Sequence, residues 1–345
     1  MRARIATASE GNPLFVEQLL EMMVEEGLLR RSGEAWVAAG DLSTVSMPPT
    51  IHALLAARLE SLSAEEREVI EAASVIGQHF VRDALEELVS ERVRERVPEL
   101  VEALMQKRLV RLERADFASE RRYRFGHILI RDATYRGLLK ASRAILHERF
   151  VGWADRVNQD RDRAVEYEEI LGYHLEQAYT SLSDLGPLDD HGRQLGVRAA
   201  ARLSSAGQRA FARGDMPAAA NLLRRAIALL PADSHDRLTR LPDLAEAMLA
   251  IGEFAWAETF LDEAIEMAVQ AGEEGLGASA RLLRLRVRSH SGEPEDWTGR
   301  MVGEADRGLP LLEAAGDHVE LARALRNLAW AHGTACRYGR TAAAA

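Results

Sequence analysis

Arg121–Leu139, RRYRFGHILIRDATYRGLL, closes a strand pattern and opens a helix, and the rest of the chain is read outward from it. Just upstream, RLVRLERADFASERRYRF (108–125) alternates Val110 and Leu112, then Tyr123 and Phe125, around a polar turn. Period two on both sides of a turn predicts a β-hairpin. Three helical patterns precede it, at Ala64–Ile76, Val81–Val89 and Val97–Lys107. Ser63 with Glu66 three residues later has the spacing of a capping box and marks where the first of them starts.

Three helices followed by a hairpin give a winged-helix-like domain, placed at 61–158 together with the helices that follow it. Those are expected at His127–Leu139 and Ser142–Val157, with another at Val165–Thr180. Asp184–Asp190, DLGPLDD, is the clearest linker. Beyond it Leu203, Gly207, Ala219, Leu223, Ala226 and Pro231 fall at the relative positions of a tetratricopeptide repeat of roughly 34 residues. Small residues let paired helices approach, larger ones fill the gap, and proline ends the second helix. The frame recurs 38 residues on at Leu241, Leu244, Ala257, Leu261 and Ala264. It recurs more weakly after a further 41, at Leu282, Leu285, Val302 and Ala305. A fourth first-helix, LARALRNLAWAHGTA, runs out into four alanines with no partner helix, so the repeat region 159–345 is expected to be truncated.

At the other end, Glu10-Gly11-Asn12-Pro13 leads into LFVEQLLEMMVEEGLL. Leu14, Phe15, Leu19, Met22 and Met23 share a helical face, with glutamates opposite. A short RRSGEAWVAAGDL segment is read as a small hairpin, and Pro48-Pro49 breaks the chain. Thr50 is placed to cap IHALLAARLESL. This lid-like segment is assigned to 1–60. The fold class is therefore mainly α: helical lid remnant, winged-helix-like domain with one β-hairpin, then a tetratricopeptide-like superhelix.

Composition sets limits. The 345 residues suffice for two or three domains, and 47% hydrophobic with 28% charged is globular composition. A net charge of -10 argues against the whole chain coating nucleic acid or an anionic membrane. Leu104–Phe150 is the exception, with twelve Lys or Arg against five Asp or Glu. Cys336 is the one cysteine, so an intrachain disulfide and a cysteine cluster for zinc are both excluded. No apolar run approaches the roughly 18 residues of a membrane span, and a cytoplasmic setting is the default.

Three stretches, EGNPLFVEQLL, MPPTIHALLAARLESLSAEEREVIEAASVIGQHF and YRFGHILIRDATYRGLL followed by LHERF, resemble signal-transduction ATPases with numerous domains, the STAND class. The likeness extends to bacterial members that carry a LuxR-type DNA-binding domain or a nucleotide cyclase domain. The stretches keep the family's order of lid, winged helix and tetratricopeptide-like sensor. What the resemblance implies is a nucleotide-driven switch. Gly11 and Pro13 match the lid motif whose proline packs near the adenine. His127 stands where relatives carry a methionine-histidine-aspartate motif whose histidine senses the β-phosphate of ADP. Here Gly126 and Ile128 flank it, so only the histidine carries over. Read from the residues alone, Pro13 is equally a first-turn helix proline and His127 a helix cap or core histidine.

The departure from the family is as informative. A phosphate-binding loop needs glycines, a lysine and a Ser or Thr for magnesium. Lys107 and Lys140 are the two lysines, and both lie in helical patterns. No apolar strand ends in paired acids. The chain is therefore not expected to be an ATPase itself or to bind a cofactor alone. ATP or ADP is implied for a larger protein whose phosphate-binding domain would precede Glu10. Expected partners are that domain and a protein or small inducer on the repeats. The rival reading is a DNA-binding winged helix with a protein-binding tail, using Arg108, Arg111, Arg121, Arg122 and Arg124. A standalone repeat scaffold is the third.

Other chemistry finds little support. No Gly-x-Ser-x-Gly or His-Glu-x-x-His is present, and Gly275-x-Gly277 lacks the preceding strand of a dinucleotide site. His147-Glu148 is expected as a helix-surface pair. Glu65-Glu66, Glu86-Glu87 and Glu168-Glu169 are expected on solvated faces, and Trp153, Trp256 and Trp330 in the core.

Overall fold

A computed structural model describes residues 12–25, 27–32, 35–38, 50–113, 121–160, 167–290 and 296–334. The chain divides into two compact units, Met1–Asp162 with Gln177–Leu188, and Arg163–Glu176 with Asp189–Ala345. The lid segment and the hairpin domain, expected as 1–60 and 61–158, fall in one unit. Pro48, Pro49 and Val165 lie outside the described residues.

The first unit opens with α1 (Pro13–Glu25), followed by the antiparallel pair β1 (Leu29–Ser32) and β2 (Ala35–Ala38), and α2 (Ile51–Glu60). Phe15, Leu19, Met22 and Met23 of α1 pack on Leu54 of α2. Thr50 caps α2 by accepting from the Ala53 N–H at 3.1 Å. Then come α3 (Ala64–Ile76), β3 (His79–Val81), α4 (Arg82–Leu88), α5 (Glu91–Arg94), α6 (Val97–Gln106), β4 (Val110–Glu113) and β5 (Arg122–Phe125). The capping box at Ser63 and Glu66 starts α3. Helices α7 (Ile128–Gly137) and α8 (Lys140–Asp160) follow.

The hairpin β4–β5 is present, and a third strand joins it. β3 pairs with β5, giving the antiparallel order β3-β5-β4, with Phe80 opposite Tyr123 and Val110 opposite Phe125. Val81–Val89, expected as one helix, is thus a strand end followed by a helix starting at Arg82. Three residues are too few to show a period of two, so the strand left no pattern to read. One sheet face carries Phe80, Tyr123 and Phe125, whose rings meet at 5.6–6.0 Å.

Two expectations in this unit are corrected. His147 is fully buried, not on the surface, because the Tyr135 hydroxyl 2.8 Å from Nε2 gives the ring a polar partner inside. Glu66 is buried rather than solvated, held by Ser63 and Lys107.

The second unit is helical throughout its described residues. Part of α9 (Glu168–Ser183) precedes α10 (Asp190–Ala212), α11 (Met216–Ala228), α12 (His235–Ala250), α13 (Phe254–Ala271), α14 (Glu274–His290), α15 (Trp297–Ala315) and α16 (His318–Thr334). The linker residues Asp184–Asp189 end in a cap, Asp189 accepting from the Gly192 N–H. Asp215, Ser234, Asp296 and Asp317 likewise start α11, α12, α15 and α16.

The repeat frame sits in the core. Leu203, Ala219, Leu223, Ala226, Leu241, Leu244, Ala257, Leu261 and Ala264 are all fully buried. Each leucine so buried contributes about 2 kcal/mol. A Cβ on Gly207 would stand 2.9 Å from Leu223 Cγ, so this glycine sets how closely α10 and α11 approach. In the weaker third frame Met301, not Val302, fills the interior beside Leu282 and Ala305. Trp256 is also corrected: at 57% exposed it lies on the surface, stacked on Phe260. Trp330 and Trp153 are half-buried. Among the described residues no helix is long and apolar enough to cross a membrane. Cys336 lies outside them.

Candidate functional site

Two arginines of the rival DNA-binding reading, Arg108 and Arg111, meet a polar joint on α1. Glu17, Gln18 and Glu21 stand at i, i+1 and i+4, on the flank of that helix's apolar stripe. Arg58 of α2, 2% exposed, reaches across. Its guanidinium donates to Gln18, to Glu21 Oε2 at 3.2 Å, and to the Lys107 carbonyl at 2.6 Å. Arg108 Nη1 donates to Glu21 Oε1 at 3.0 Å, and Arg111 Nη2 to Glu17 Oε1 at 3.3 Å. One arginine of α2 and two from the start of the hairpin therefore hold α1. Burial pushes the Glu21 carboxyl above its usual range, and Arg58 and Arg108 only partly offset this.

The turn that presents Arg108 explains the glycine of the Gly126-His127 pair. Arg108 is the one non-glycine residue with positive φ (52°) among those described. A Cβ at Gly126 would lie 2.6 Å from its carbonyl oxygen, a contact only glycine avoids. The Gly126 N–H donates to the Leu109 carbonyl at 2.9 Å, which locks β5 to the end of α6.

Pro13 is exposed at the first position of α1, after Asn12, whose Oδ1 accepts from the Leu14 and Phe15 N–H groups at 3.0 and 3.3 Å. His127 is the N-cap of α7, its Nδ1 accepting from the Leu129 N–H at 3.2 Å. The two residues open separate helices, each tied within its own first turn. Gly11 lies outside the described residues. Of the arginines in the rival reading, Arg111 and Arg124 are directly opposed and share a sheet face with Arg122. Glu113 faces Arg122 there and contacts His79 at 3.1 Å. Arg121 is exposed just before β5.

A second polar cluster joins the first helices of successive repeats. Gln208 of α10 donates to Asp243 of α12 at 3.1 Å. Asp243 and Glu246 of α12 pair with Arg323 of α16, and Glu246 also with Arg326 at 2.5 Å. Arg323, 5% exposed, pairs further with Glu320, which accepts from Ser279 of α14 at 2.6 Å. Burial alone would lower the Arg323 pKa, but Glu320, Asp243 and Glu246 outweigh it and raise the value. Arg286 of α14 differs. Burial lowers its pKa, Glu246 opposes this and Arg326 adds to it. Its guanidinium donates to Asn327 at 3.2 Å and lies 5.4 Å from the Trp330 ring centre.

Sequence reading missed both clusters, though each left a signal. Arg58 falls at i+4 from the buried Leu54 and i+3 from the buried Leu55, an arginine on the apolar stripe of α2. Arg323 and Asn327 are likewise on the buried face of α16 with Ala324 and Ala331. A charged residue at a core position announces a partner without naming it.

No protein-family profile matches the chain, and no curated protein matches it. Among solved structures it is similar to BtubC from P. vanneervenii, at 17% identity over 82% of this chain and 89% of that one, TM-score 0.37. It is also similar to the apo form of the quorum sensor NprR from B. thuringiensis, at 14% identity over 99% and 96%, TM-score 0.37. A third is the STAND protein with a tetratricopeptide repeat sensor, PH0952, from Pyrococcus horikoshii, at 13% identity and TM-score 0.30. There the alignment spans 99% of this chain and 55% of that one. Similarity at this level assigns no role to any residue here.

Proposed function

We propose that the chain is the regulatory part of a STAND-type signalling ATPase working in the cytoplasm. The repeats take a protein or small inducer on their concave face, and the lid helix and winged helix relay that event to a nucleotide-dependent switch in an adjoining domain. The observation that carries this reading is the joint on α1. Arg108 and Arg111 ion-pair the hairpin segment to Glu21 and Glu17 of α1, beside the Arg58–Glu21 pair that joins α1 to α2. ATP or ADP is bound by the adjoining domain, since this chain has no phosphate-binding loop.

His127 supports the same reading. Accepting at Nδ1 puts the neutral ring's proton on Nε2, and the ring stands at a helix N-terminus, where an anion is favoured. In this scheme Nε2–H would donate to the β-phosphate of ADP and Pro13 would pack near the adenine, as the family resemblance implies.

The test uses the full reading frame that contains this chain, with Arg108→Glu and Arg111→Glu together. Both side chains are exposed, so folding is expected to survive. Charge reversal against Glu21 and Glu17 should change ADP affinity and inducer response by roughly fivefold or more, an ordinary coupling energy. Unchanged ADP affinity with unchanged output overturns the relay.

The DNA-binding reading is second, favoured by Arg111, Arg122 and Arg124 on one sheet face. Helix α6 weighs against it: its exposed positions include Glu99 and Glu102, two carboxylates where phosphate would lie. Duplex binding by the same protein that falls steeply with salt would carry this reading instead.

A further inference from the structure

The exposed Trp256 forms part of one wall of a groove of about 300 Å³ between α11 and α13, the second helices of successive pairs. Phe260, one turn further along α13, stacks on it with ring centres 5.9 Å apart and extends that wall. Met248 and Ala220 line the groove and are buried, so they make its floor. On the other side α11 presents Pro217, Asn221 and Arg224, at i, i+4 and i+7 on one helix face. The volume lies at the small end of ligand sites, about 300–1,000 Å³, and suits a ligand of one or two rings.

The two ends of the groove differ in charge. Arg237, near the start of α12, donates to the Ile227 carbonyl at the end of α11 at 2.7 Å and to Glu263 of α13 at 2.5 Å. The last turn of α12 lines the groove together with Pro217 and Trp256, at the starts of α11 and α13. Helices α11 and α13 therefore run side by side in one direction, with α12 opposed to both. Glu253, the N-cap residue of α13, stands at one end of the groove, and Arg224, two turns into α11, at the other. Both are exposed, and among the described residues neither side chain has a hydrogen-bond or ion-pair partner. The same holds for Asn221, one turn before Arg224.

We propose that this groove binds a planar aromatic monocarboxylate. The ring lies along Trp256 and Phe260 and over Met248, whose thioether is a favourable neighbour for an aromatic edge. The carboxylate accepts from the Arg224 guanidinium and the Asn221 amide, donors that stand side by side at i and i+3 on α11. Glu253 repels a second anionic group at the far end, and so selects a ligand with one carboxylate. The site needs only the repeat unit and holds or fails independently of the relay described above.

The probe is 2-naphthoate, titrated calorimetrically into the full chain at low ionic strength. Saturable one-to-one binding is expected, weakened about tenfold for 2-naphthalenemethanol, which keeps the rings and lacks the charge. Arg224→Gln should weaken 2-naphthoate about tenfold and leave the neutral alcohol unchanged. Trp256→Leu should weaken both about fivefold, the worth of an aromatic pair. Naphthalene-2,6-dicarboxylate should bind more weakly than 2-naphthoate, and Glu253→Gln should remove that difference. All three positions are exposed, and an unchanged far-ultraviolet circular dichroism spectrum verifies that each variant folds. No saturable binding of 2-naphthoate overturns the proposal, and so does an affinity unmoved by either Arg224→Gln or Trp256→Leu.

Discussion

Glu66 shows how much one carboxylate can do. Its Oε2 accepts from the Ser63 N–H at 2.9 Å, closing the capping box, and both oxygens accept from Lys107 Nζ at 2.8 Å. Burial alone would push the carboxyl up, but the Lys107 ammonium and the Ser63 contacts outweigh it and hold the group below its usual value of 4.5. A depressed carboxyl stabilises the fold above its unfolded pKa and loses that contribution as pH falls through the folded one. Glu66→Gln should therefore cost about 1–2 kcal/mol at neutral pH, mainly the lost charge pairing with Lys107, since a glutamine there can still accept from the Ser63 N–H. The gap between variant and parent should close as acid protonates the native carboxylate. Urea titrations at a series of pH values check this, and a gap that stays constant into acid refutes it. The Ser63–Glu66 half of the arrangement was legible because it spans three residues. The Lys107 half, 41 residues away, was not. His147 was misread for the same reason: its burial depends on Tyr135, a partner that adjacent Glu148 does not suggest.

Helices and their pairing were the most legible level. Capping residues and glycine placement announce where each repeat helix begins and where two helices touch, and both are local in sequence. Gly207→Val would drive a branched side chain into Leu222 and Leu223, 2.9–3.3 Å away, and should destabilise the α10–α11 pair by about 1–3 kcal/mol. The denaturant midpoint should fall while the slope stays unchanged. An undiminished midpoint would mean that the helices separate without cost. Strand β3 escaped because its pairing partner, β5, supplies the reason for it to be extended. Val302 lost its expected interior place to Met301 where the repeat spacing loosens, so the frame drifts by one residue. Each ionic cluster left only a charged residue on an apolar stripe, Arg58 on α2 and Arg323 on α16, and neither stripe names the partner.

At the scale of the molecule, two compact units imply two cores that unfold separately. Calorimetry should resolve two transitions. Glu66→Gln should lower one and Gly207→Val the other, by roughly 2–4 °C per kcal/mol. One transition moved equally by either substitution would contradict this. Within the repeat unit, the bridge from Asp243 and Glu246 to Arg323 and Arg326 has a consequence for how the array can evolve. Where each helical pair touches only its neighbours, pairs can be duplicated or deleted almost anywhere along the chain. Here α12 grips α16 across an intervening pair, so inserting or removing one pair between them would strand a buried arginine. The number of modules between those helices is thereby held constant, in a kind of architecture that ordinarily leaves its own length open.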